Sequence, residues 1–295
     1  MVLFFLLTFL RKVIIKQESG DSMPELPEVE TVKEALKKDL LNKKIIDINI
    51  YYEKIIDYPS IDEFKKEIKN QTINNITRRG KWLMFELDNH YLLSHLRMEG
   101  KYFFRNVNDE VNKHEHISFI LDNNQELRYH DTRKFGRMYL IKKEQIETYE
   151  LLNELGLEPW DNNLTITYMK EKYKKKTLPI KTALLDQSII VGIGNIYADE
   201  ILFLSKINPL KKANKLTNKE LQSIIDNTKK VLEKAIALGG TTIRSYTSRE
   251  GVHGRFQNEL KVHSKEKCPN CNNDIKKIKV NGRGTYYCPK CQKKR

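Results

Sequence analysis

The sequence contains little cysteine, and what it has is confined to one end. Only four cysteines occur in 295 residues, all between positions 268 and 291, arranged as two Cys-x-x-Cys pairs. None is left over for a disulfide framework, which excludes the class of small secreted domains that disulfides stabilise. The distribution indicates a reducing, cytoplasmic environment and a metal site.

The sequence also lacks an apolar run long enough to cross a membrane. The apolar stretch at residues 2–10 is too short, because a spanning helix needs about 20 residues. No basic segment precedes it and no small-residue cleavage site follows it, so it is a poor signal peptide. Residues 1–22 could be an upstream start that the cell does not use, a processed leader or a membrane tether. We favour the unused start and expect no membrane partner.

Acidic residues are outnumbered by basic ones. The chain has 39 Asp and Glu against 53 Lys and Arg, a formal net charge of +14 and a pI near 9.4. This balance favours nucleic acid as a partner, although a solvated Lys-rich surface is the alternative. The glycine spacing of a dinucleotide-binding fold is absent. Gly192-x-Gly194 alone predicts a tight turn before a helix, and no nucleotide cofactor is supported.

The string Met23-Pro24-Glu25 is the most informative feature that is present. If translation starts at Met23 and this methionine is removed, the chain begins with a proline. An α-amino group titrates near pH ~8, below lysine at ~10, so this secondary amine would be a usable nucleophile. Glu25 would place a carboxyl group beside it. With residues 1–22 attached, the Pro24 nitrogen is a tertiary amide and has no nucleophilic character.

Periodicity predicts three structural units after this start. A helix is expected over 24–41, because its apolar residues recur at helical spacing, and short strands with close turns over 44–141 predict a β-sandwich. From about residue 149 the pattern is helical, with a capping box at Thr217–Glu220 and a helix end at Gly239-Gly240. Residues 241–260 predict a mobile polar loop. The expected domains are therefore 23–148, 149–260 and 261–295.

The C-terminal unit is predicted to be a zinc ribbon. Two residues separate the cysteines of each pair and 16 separate the pairs, which is the spacing of a four-thiolate zinc site. One structural Zn²⁺ is expected, and basic neighbours suggest phosphate contact. Its ligands would be Cys268, Cys271, Cys288 and Cys291.

Three polar motifs leave functional and structural interpretations open. The basic turn at 77–82 could hold a DNA backbone or place Lys81 at a reacting centre, although a solvated turn is the simpler interpretation. Phe135, beside Arg133, could wedge into a base stack or could belong to the core. His114-x-His116 favours strand or phosphate contact over a metal.

These motifs together resemble one enzyme family, and they occur in that family's order from Met23 to about Gln292. The chain is similar to formamidopyrimidine-DNA glycosylases, bacterial base-excision repair enzymes, in its segments MPELPEVET, RRGKWL, HLRMEGKY, HDTRKFGR, VGIGNIYADE, GGTT and the zinc ribbon. The endonuclease VIII branch has a related architecture, but Leu26 and RMEGKY favour the formamidopyrimidine branch. The implied fold class is α+β: an N-terminal β-sandwich with the nucleophile helix, a helical helix-two-turn-helix domain and a C-terminal zinc-ribbon hairpin.

The resemblance also implies a chemistry and a set of DNA contacts. Pro24 would form an imine with the damaged nucleotide and Glu25 would protonate its sugar, while Lys81 would serve β-elimination and Arg283 δ-elimination. The flipped-out nucleotide would leave a void in the duplex. Residues implied to fill that void or to contact DNA are Met98, Arg133 and Phe135 (void), His114, Lys175 and Asn195 (DNA), and Glu99 (flipped base).

The resulting expectation is a monomeric, zinc-containing glycosylase and abasic-site lyase in the bacterial cytoplasm, acting on oxidised purines in double-stranded DNA. Residues 241–260 would form a lid over the lesion. Thr132 and Lys134 depart from the Pro and Arg common in the family's wedge loop. Two alternatives are a non-catalytic zinc-ribbon protein that binds damaged DNA, favoured if residues 1–22 are retained, and a pyrimidine-specific relative like endonuclease VIII.

Overall fold

The computed structural model of the chain describes residues 23–241, 246–247 and 254–294. The predicted extension, residues 1–22, lies outside the described residues. The α-helices are α1 (Leu26–Leu40), α2 (Ile61–Ile68), α3 (Glu150–Asn153), α4 (Ile166–Tyr173), α5 (Ile180–Leu184), α6 (Asn195–Leu204) and α7 (Asn218–Ala237). Short 3-10 helices span Glu53–Ile55, Lys143–Thr148, Ala213–Lys215 and Phe256–Asn258. In the described part of the chain, no helix is both long enough and apolar enough to cross a membrane.

The strands form two packed sheets and a separate hairpin. They are β1 (Lys44–Ile50), β2 (Ile56–Tyr58), β3 (Gln71–Thr72), β4 (Asn75–Arg79), β5 (Trp82–Glu86), β6 (His90–His95), β7 (Lys101–Asn106), β8 (Glu115–Leu121), β9 (Gln125–His130), β10 (Arg137–Lys142), β11 (Tyr246–Thr247), β12 (Lys276–Val280) and β13 (Arg283–Tyr287). One sheet has the order β11-β7-β9-β8-β1-β3 and the other β2-β10-β6-β5-β4. Their pairing is antiparallel except for β2 with β10 and β11 with β7.

The β-sandwich and the helix before it share one core. Alternate strand residues such as Phe85 and Phe119 face inward because successive side chains of a strand point to opposite faces. The apolar stripe of α1 (Val29, Val32 and Leu36) packs into the same cluster. The predicted sandwich with its nucleophile helix is confirmed, and α1 begins at Leu26 with Glu25 as its N-cap residue.

The helical unit has its own core, formed by α4 to α7. The predicted capping box is present: the Thr217 hydroxyl accepts from Glu220 N at 3.3 Å, and Thr217 N donates to the Glu220 carboxylate at 2.8 Å. After α7, Gly239 and Gly240 adopt φ values of 75° and 76°, which suits glycine because it carries no Cβ. This ends α7 and directs Thr241 back toward α1.

The segment predicted as a mobile lid is described only in part. Residues 242–245 and 248–253 lie outside the described residues, so this prediction stays untested. Residues 246–247 form β11, which adds a parallel strand to β7 of the six-stranded sheet. Phe256, at the far end of the segment, is buried in the helical core. The segment thus touches both larger units, and the domain boundaries proposed from sequence remain predictions.

Candidate active site at the junction of the two larger units

The carboxylate of Glu25 lies at the N-terminal end of α6. It accepts hydrogen bonds from the backbone N–H groups of Gly194 at 2.7 Å, Ile196 at 2.8 Å and Tyr197 at 3.3 Å. These are the N–H groups that a helix leaves without intrahelical partners. Gly194 has to be glycine, because a Cβ there would lie 2.2 Å from the Glu25 carboxyl carbon. The glycine motif therefore holds a carboxylate of the protein itself.

Burial dominates the electrostatics of Glu25. The residue is only 2% exposed, and this burial raises the pKa of its carboxyl group to about 7. The Lys81 cation and the N–H groups of α6 oppose the rise in pKa, while the nearby Glu28 carboxylate adds to it. Near neutral pH, Glu25 can therefore carry a proton and also release it, as a general acid requires.

Lys81 is buried near Glu25. We call the site that Glu25, Lys81 and the N-terminal end of α6 form the buried corner. Its Nζ donates to the Ile193 carbonyl at 3.0 Å, on the loop that leads into α6. Burial lowers the pKa of the Lys81 amine, and the positive charge of Arg283 lowers it further, whereas Glu25 and Glu28 raise it. A lysine with a lowered pKa provides more neutral amine near physiological pH than an exposed one.

The basic turn before Lys81 joins the sandwich to the helical unit. Arg78 Nε contacts Glu30 Oε2 at 2.6 Å, and Arg78 Nη1 contacts Glu158 Oε2 at 3.0 Å. Arg79 also pairs with Glu158, which in addition accepts from Gly80 N at 2.7 Å. The interpretation of this segment as a solvated turn is therefore wrong, because its cations are partly buried in ion pairs that cross the junction.

Glu28 is a residue of this corner that the sequence analysis missed. Its carboxylate accepts from Glu25 N at 3.0 Å, from the Tyr197 hydroxyl at 2.7 Å, and from Thr241 through both N–H at 2.8 Å and hydroxyl at 3.0 Å. The spacing Glu25-x-x-Glu28 at a helix start was a usable signal, because such an acid can reach back to the cap residue. Glu28 thus connects α1, α6 and the start of the 241–260 segment.

His95 was also missed. Burial, together with the neighbouring Arg97 and Lys81 cations, lowers its pKa to about 3, so the ring is neutral at working pH. Its Nδ1 accepts from Arg97 N at 3.0 Å, at the turn that carries Met98. The neutral ring therefore helps to set the path of the turn that carries two predicted DNA-facing residues, Met98 and Glu99.

The loop that carries Phe135 is organised by a buried acid. Asp131 is 0% exposed and accepts from Arg133 N at 2.9 Å, Phe135 N at 2.9 Å and Gly136 N at 2.8 Å. Phe135 is 47% exposed, so its interpretation as a core residue is wrong. The Arg133 guanidinium lies 4.7 Å from the centre of the Phe135 ring, which stacks the cation on an exposed apolar tip.

The remaining predicted contact residues are distributed over both larger units. Met98 and Glu99 are half-buried, and Glu99 pairs with Lys101 at 3.7 Å. His114 packs edge-on against His130 with ring centres 5.6 Å apart. Lys175 is exposed in the turn after α4, and Asn195 is the first residue of α6. Their contacts with DNA stay predictions.

The four cysteines converge on one point. Their sulfur atoms all lie within 4.8 Å of one another, with Cys268 to Cys291 at 3.8 Å and Cys271 to Cys288 at 3.5 Å. Zinc–sulfur bonds of about 2.3 Å in a tetrahedron would separate the sulfurs by about 3.8 Å. The donors therefore fit one structural Zn²⁺, as predicted. Between β12 and β13, Asn281 and Gly282 form the hairpin turn with positive φ.

Comparison with models of known protein families identifies the family to which this chain belongs. Residues 23–138 match the family model for the formamidopyrimidine-DNA glycosylase N-terminal domain, residues 155–247 match its H2TH domain, and residues 265–294 match the zinc finger found in FPG and IleRS. The chain belongs to the formamidopyrimidine-DNA glycosylase family. The resemblance drawn from the sequence motifs is thereby confirmed, and with it a DNA glycosylase of DNA repair.

Individual relatives agree with this family membership over nearly their whole length. The formamidopyrimidine-DNA glycosylase of Oceanobacillus iheyensis is 48% identical, covering 92% of this chain and 98% of the relative. That of Listeria monocytogenes is 45% identical, covering 92% and 100%. The wild-type Lactococcus lactis enzyme, solved with DNA containing N7-benzyl-Fapy-dG, is 43% identical with a TM-score of 0.86, covering 92% and 100%. The same enzyme bound to abasic-site DNA gives a TM-score of 0.85.

Proposed function

We propose that this member of the family is a bifunctional DNA glycosylase and abasic-site lyase that removes oxidised purines, chiefly 8-oxoguanine and formamidopyrimidines, from double-stranded DNA. The observation that carries the proposal is the buried Glu25 carboxyl group at the start of α6. It directly follows Pro24, its pKa is raised to about 7, and it interacts with the Lys81 charge. Pro24, Glu25 and Lys81 would then supply a nucleophile, an acid and a base for the reaction.

The reaction uses the Pro24 amine as a nucleophile. Its nitrogen attacks C1′ of the damaged nucleotide, the base leaves with the electrons of the glycosidic bond, and an imine forms with the ring-opened sugar. Glu25, in its acid form, protonates the sugar ring oxygen as the ring opens. Pro24 has this amine only as the N-terminal residue. The family match begins at residue 23, which supports Met23 as the start and Pro24 as the mature terminus.

Strand cleavage follows from the same imine. Because the Pro24 nitrogen is a secondary amine, its imine is a cationic iminium ion; this charge acidifies the C2′–H bond, and loss of this proton expels the 3′ phosphate in β-elimination. A second proton loss, at C4′, expels the 5′ phosphate in δ-elimination and leaves a one-nucleotide gap. Lys81, whose pKa is lowered by burial, is proposed to serve the first elimination. Arg283 is proposed to bind the phosphate that leaves in the second.

The exposed loop supplies the other requirement, which is access to a base inside a duplex. Phe135 and Met98 would fill the space that the flipped nucleotide vacates, and Arg133 would face the orphaned cytosine. A preference for cytosine over adenine opposite the lesion would follow. We propose that the protein acts as a monomer.

The test is borohydride trapping on a duplex that holds 8-oxoguanine opposite cytosine, with proteins translated from Met1 and from Met23. An adduct on Pro24 from the Met23 protein alone supports the imine and the start site. If a zinc-loaded, DNA-binding Met23 protein gives no adduct, the catalytic proposal is wrong and a damage-binding protein remains. Cleavage of thymine glycol in preference to 8-oxoguanine would indicate the pyrimidine-specific alternative.

A further inference from the structure

Helix α6 carries two unrelated attachments on successive turns. Its N-terminal N–H groups hold Glu25, and one turn later Asp199 and Glu200, both buried, hold the zinc ribbon and the segment that leads to it. A helix turn rises about 5.4 Å. The same short helix therefore fixes the general acid and the ribbon relative to each other.

Asp199 is the centre of the ribbon attachment. Its Oδ1 accepts from Lys181 Nζ at 2.6 Å. Its Oδ2 contacts His263 Nδ1 at 2.8 Å and accepts from the backbone N–H of Tyr286, in β13, at 3.1 Å. The side chains of Asp199 and Lys181 are each 1% exposed. Three elements thus converge on one carboxylate: α5, the segment before the ribbon, and the ribbon strand itself.

A second contact carries this attachment to the residue beside Arg283. Lys181 Nζ, besides its bond to Asp199, donates to the Gly284 carbonyl at 3.0 Å. The backbone on the C-terminal side of Arg283 is thus held at Gly284 by Lys181 and at Tyr286 by Asp199. Glu200 adds three bonds from the N–H groups of Lys261, Val262 and His263 at 2.8, 3.0 and 2.9 Å.

The Arg283 side chain itself is exposed at the start of β13. Its charge is nonetheless felt in the buried corner, where it lowers the pKa of both Lys81 and Lys181. The start of β13 therefore lies near enough to these lysines for the Arg283 charge to act on them, and the backbone next to Arg283 is held by the contacts of Lys181 with Gly284 and of Asp199 with Tyr286.

We propose that Asp199 is a positioning residue for δ-elimination, which acts by fixing the backbone of β13 so that Arg283 reaches the second leaving phosphate. The proposal rests on the role proposed above for Arg283. Asp199 does not touch the reacting sugar in this account. A displacement of about 1 Å can cost about 10²-fold in rate, so a loosened ribbon would slow the step that depends on Arg283 and spare the earlier ones.

The test is Asp199→Asn in the protein translated from Met23, with Pro24 as its N-terminal residue. The amide keeps the size of the carboxylate, but its NH₂ group faces donors, and Lys181 loses its counter-charge. Single-turnover reactions on 8-oxoguanine duplex would separate base loss, the β-product and the β,δ-product, with zinc content measured alongside. We expect base loss and borohydride trapping to stay within about threefold of wild type, and δ-elimination to slow by about tenfold or more.

Asp226→Asn is the matched control, because Asp226 is exposed on α7 and accepts only from Gln222 Nε2, at 2.7 Å, among the described residues. It should keep the wild-type ratio of products.

His263→Phe is a milder second variant. In the wild-type protein the ring centres of His263 and Tyr286 are 4.8 Å apart; phenylalanine keeps a ring in this place but removes the donor to Asp199. We expect it to lower the ratio of δ- to β-product by about threefold.

The outcomes separate this inference from the function on which it rests. If wild type forms neither adduct nor gap, the proposed function fails. If wild type makes the gap and both Asp199→Asn and His263→Phe keep its product ratio, the positioning role is wrong. An equal slowing of both eliminations in the zinc-loaded variants would also overturn it, because Asp199 would then serve only the fold. If Asp199→Asn does not fold, the His263→Phe ratio decides.

Discussion

Glu25 is 2% exposed and takes its hydrogen bonds from a helix start 169 or more residues away, whereas Phe135 is 47% exposed and is held by Asp131, four residues before it. The buried corner is assembled from three distant segments, which contribute Glu25, Lys81 and the start of α6. The loop of residues 131–136, which is the proposed wedge, is organised almost entirely by the side chain of Asp131.

The difference fits what each region is proposed to do. Acid and base catalysis near neutral pH needs pKa values moved from their ordinary positions, and burial is the strongest way to move them. A wedge needs an apolar tip in solvent and a fixed backbone beneath it, so the burial falls on its anchor, Asp131, and the tip stays exposed. Substitutions should therefore affect chemistry in the corner and DNA engagement in the loop.

Glu25→Gln should have the largest effect. The amide cannot donate a proton to the sugar oxygen, so we expect excision of 8-oxoguanine to slow by about 10²- to 10⁴-fold. Affinity for a duplex with a stable abasic-site analogue should change little. Single-turnover excision and gel-shift binding would measure the two, with the exposed Glu34→Gln, also on α1, as control. If Glu25→Gln excises 8-oxoguanine at nearly the wild-type rate, Glu25 is not the general acid of the reaction.

The next largest effect of Glu25 should be on how the stability of the protein depends on pH. Because the pKa of Glu25 is raised from 4.5 to about 7 in the fold, the folded protein prefers the protonated form. Its contribution to stability is complete below pH 4.5 and is lost as the pH rises toward 7. Glu25→Gln lacks this loss. As the pH rises from 4.5 to 8, its free energy of unfolding should therefore increase by about 3 kcal/mol relative to that of wild type, at about 1.4 kcal/mol per pKa unit.

Urea denaturation of zinc-loaded wild type and Glu25→Gln at pH 5 and pH 8 would measure this difference. Glu34→Gln should change with pH in parallel with wild type. If wild type and Glu25→Gln differ in free energy of unfolding by the same amount at both pH values, Glu25 is not a buried acid with a raised pKa, whatever the activity of the variant.

Asp131→Asn should have a smaller effect, confined to DNA engagement. Asp131 Oδ2 accepts from two N–H groups, those of Phe135 and Gly136, and an amide NH₂ there would oppose donor to donor. Leaving such groups unpaired costs about 1–3 kcal/mol, so we expect about a 10- to 100-fold loss in base flipping. Fluorescence of 2-aminopurine beside the lesion would report it.

The control for this prediction is Asp161→Asn, because Asp161 accepts from Asn163 N at 2.8 Å through one oxygen that an amide can replace. Borohydride trapping of single-stranded abasic DNA should be unchanged in Asp131→Asn, since no duplex has to be opened. A matching loss on single-stranded DNA would place the defect in the corner and weaken the comparison between the two regions.

Much of the site could be predicted from the sequence because its signals are local. The cysteine spacing specified a metal site whose sulfurs lie within 4.8 Å. The Thr217 capping box and the glycine pair after α7 fixed the ends of that helix. What the sequence analysis misjudged were long-range partners: the basic turn at 77–82 was interpreted as solvated, yet Arg78 pairs with Glu30 and Glu158, 48 and 80 residues away.

The sequence by itself determined the helix starts, the alternation that builds the sandwich, the zinc ligands and the presence of an acid beside a potential N-terminal proline. Each depends on residues within a few positions of one another. Only the tertiary structure decided that the α6 N-terminus holds Glu25, that Glu28 meets Thr241, and that Asp199 holds the ribbon. These are pairs separated by 87 to 213 residues. Hydrogen-bonding groups are common throughout a chain, so which of them meet is set by how the cores pack.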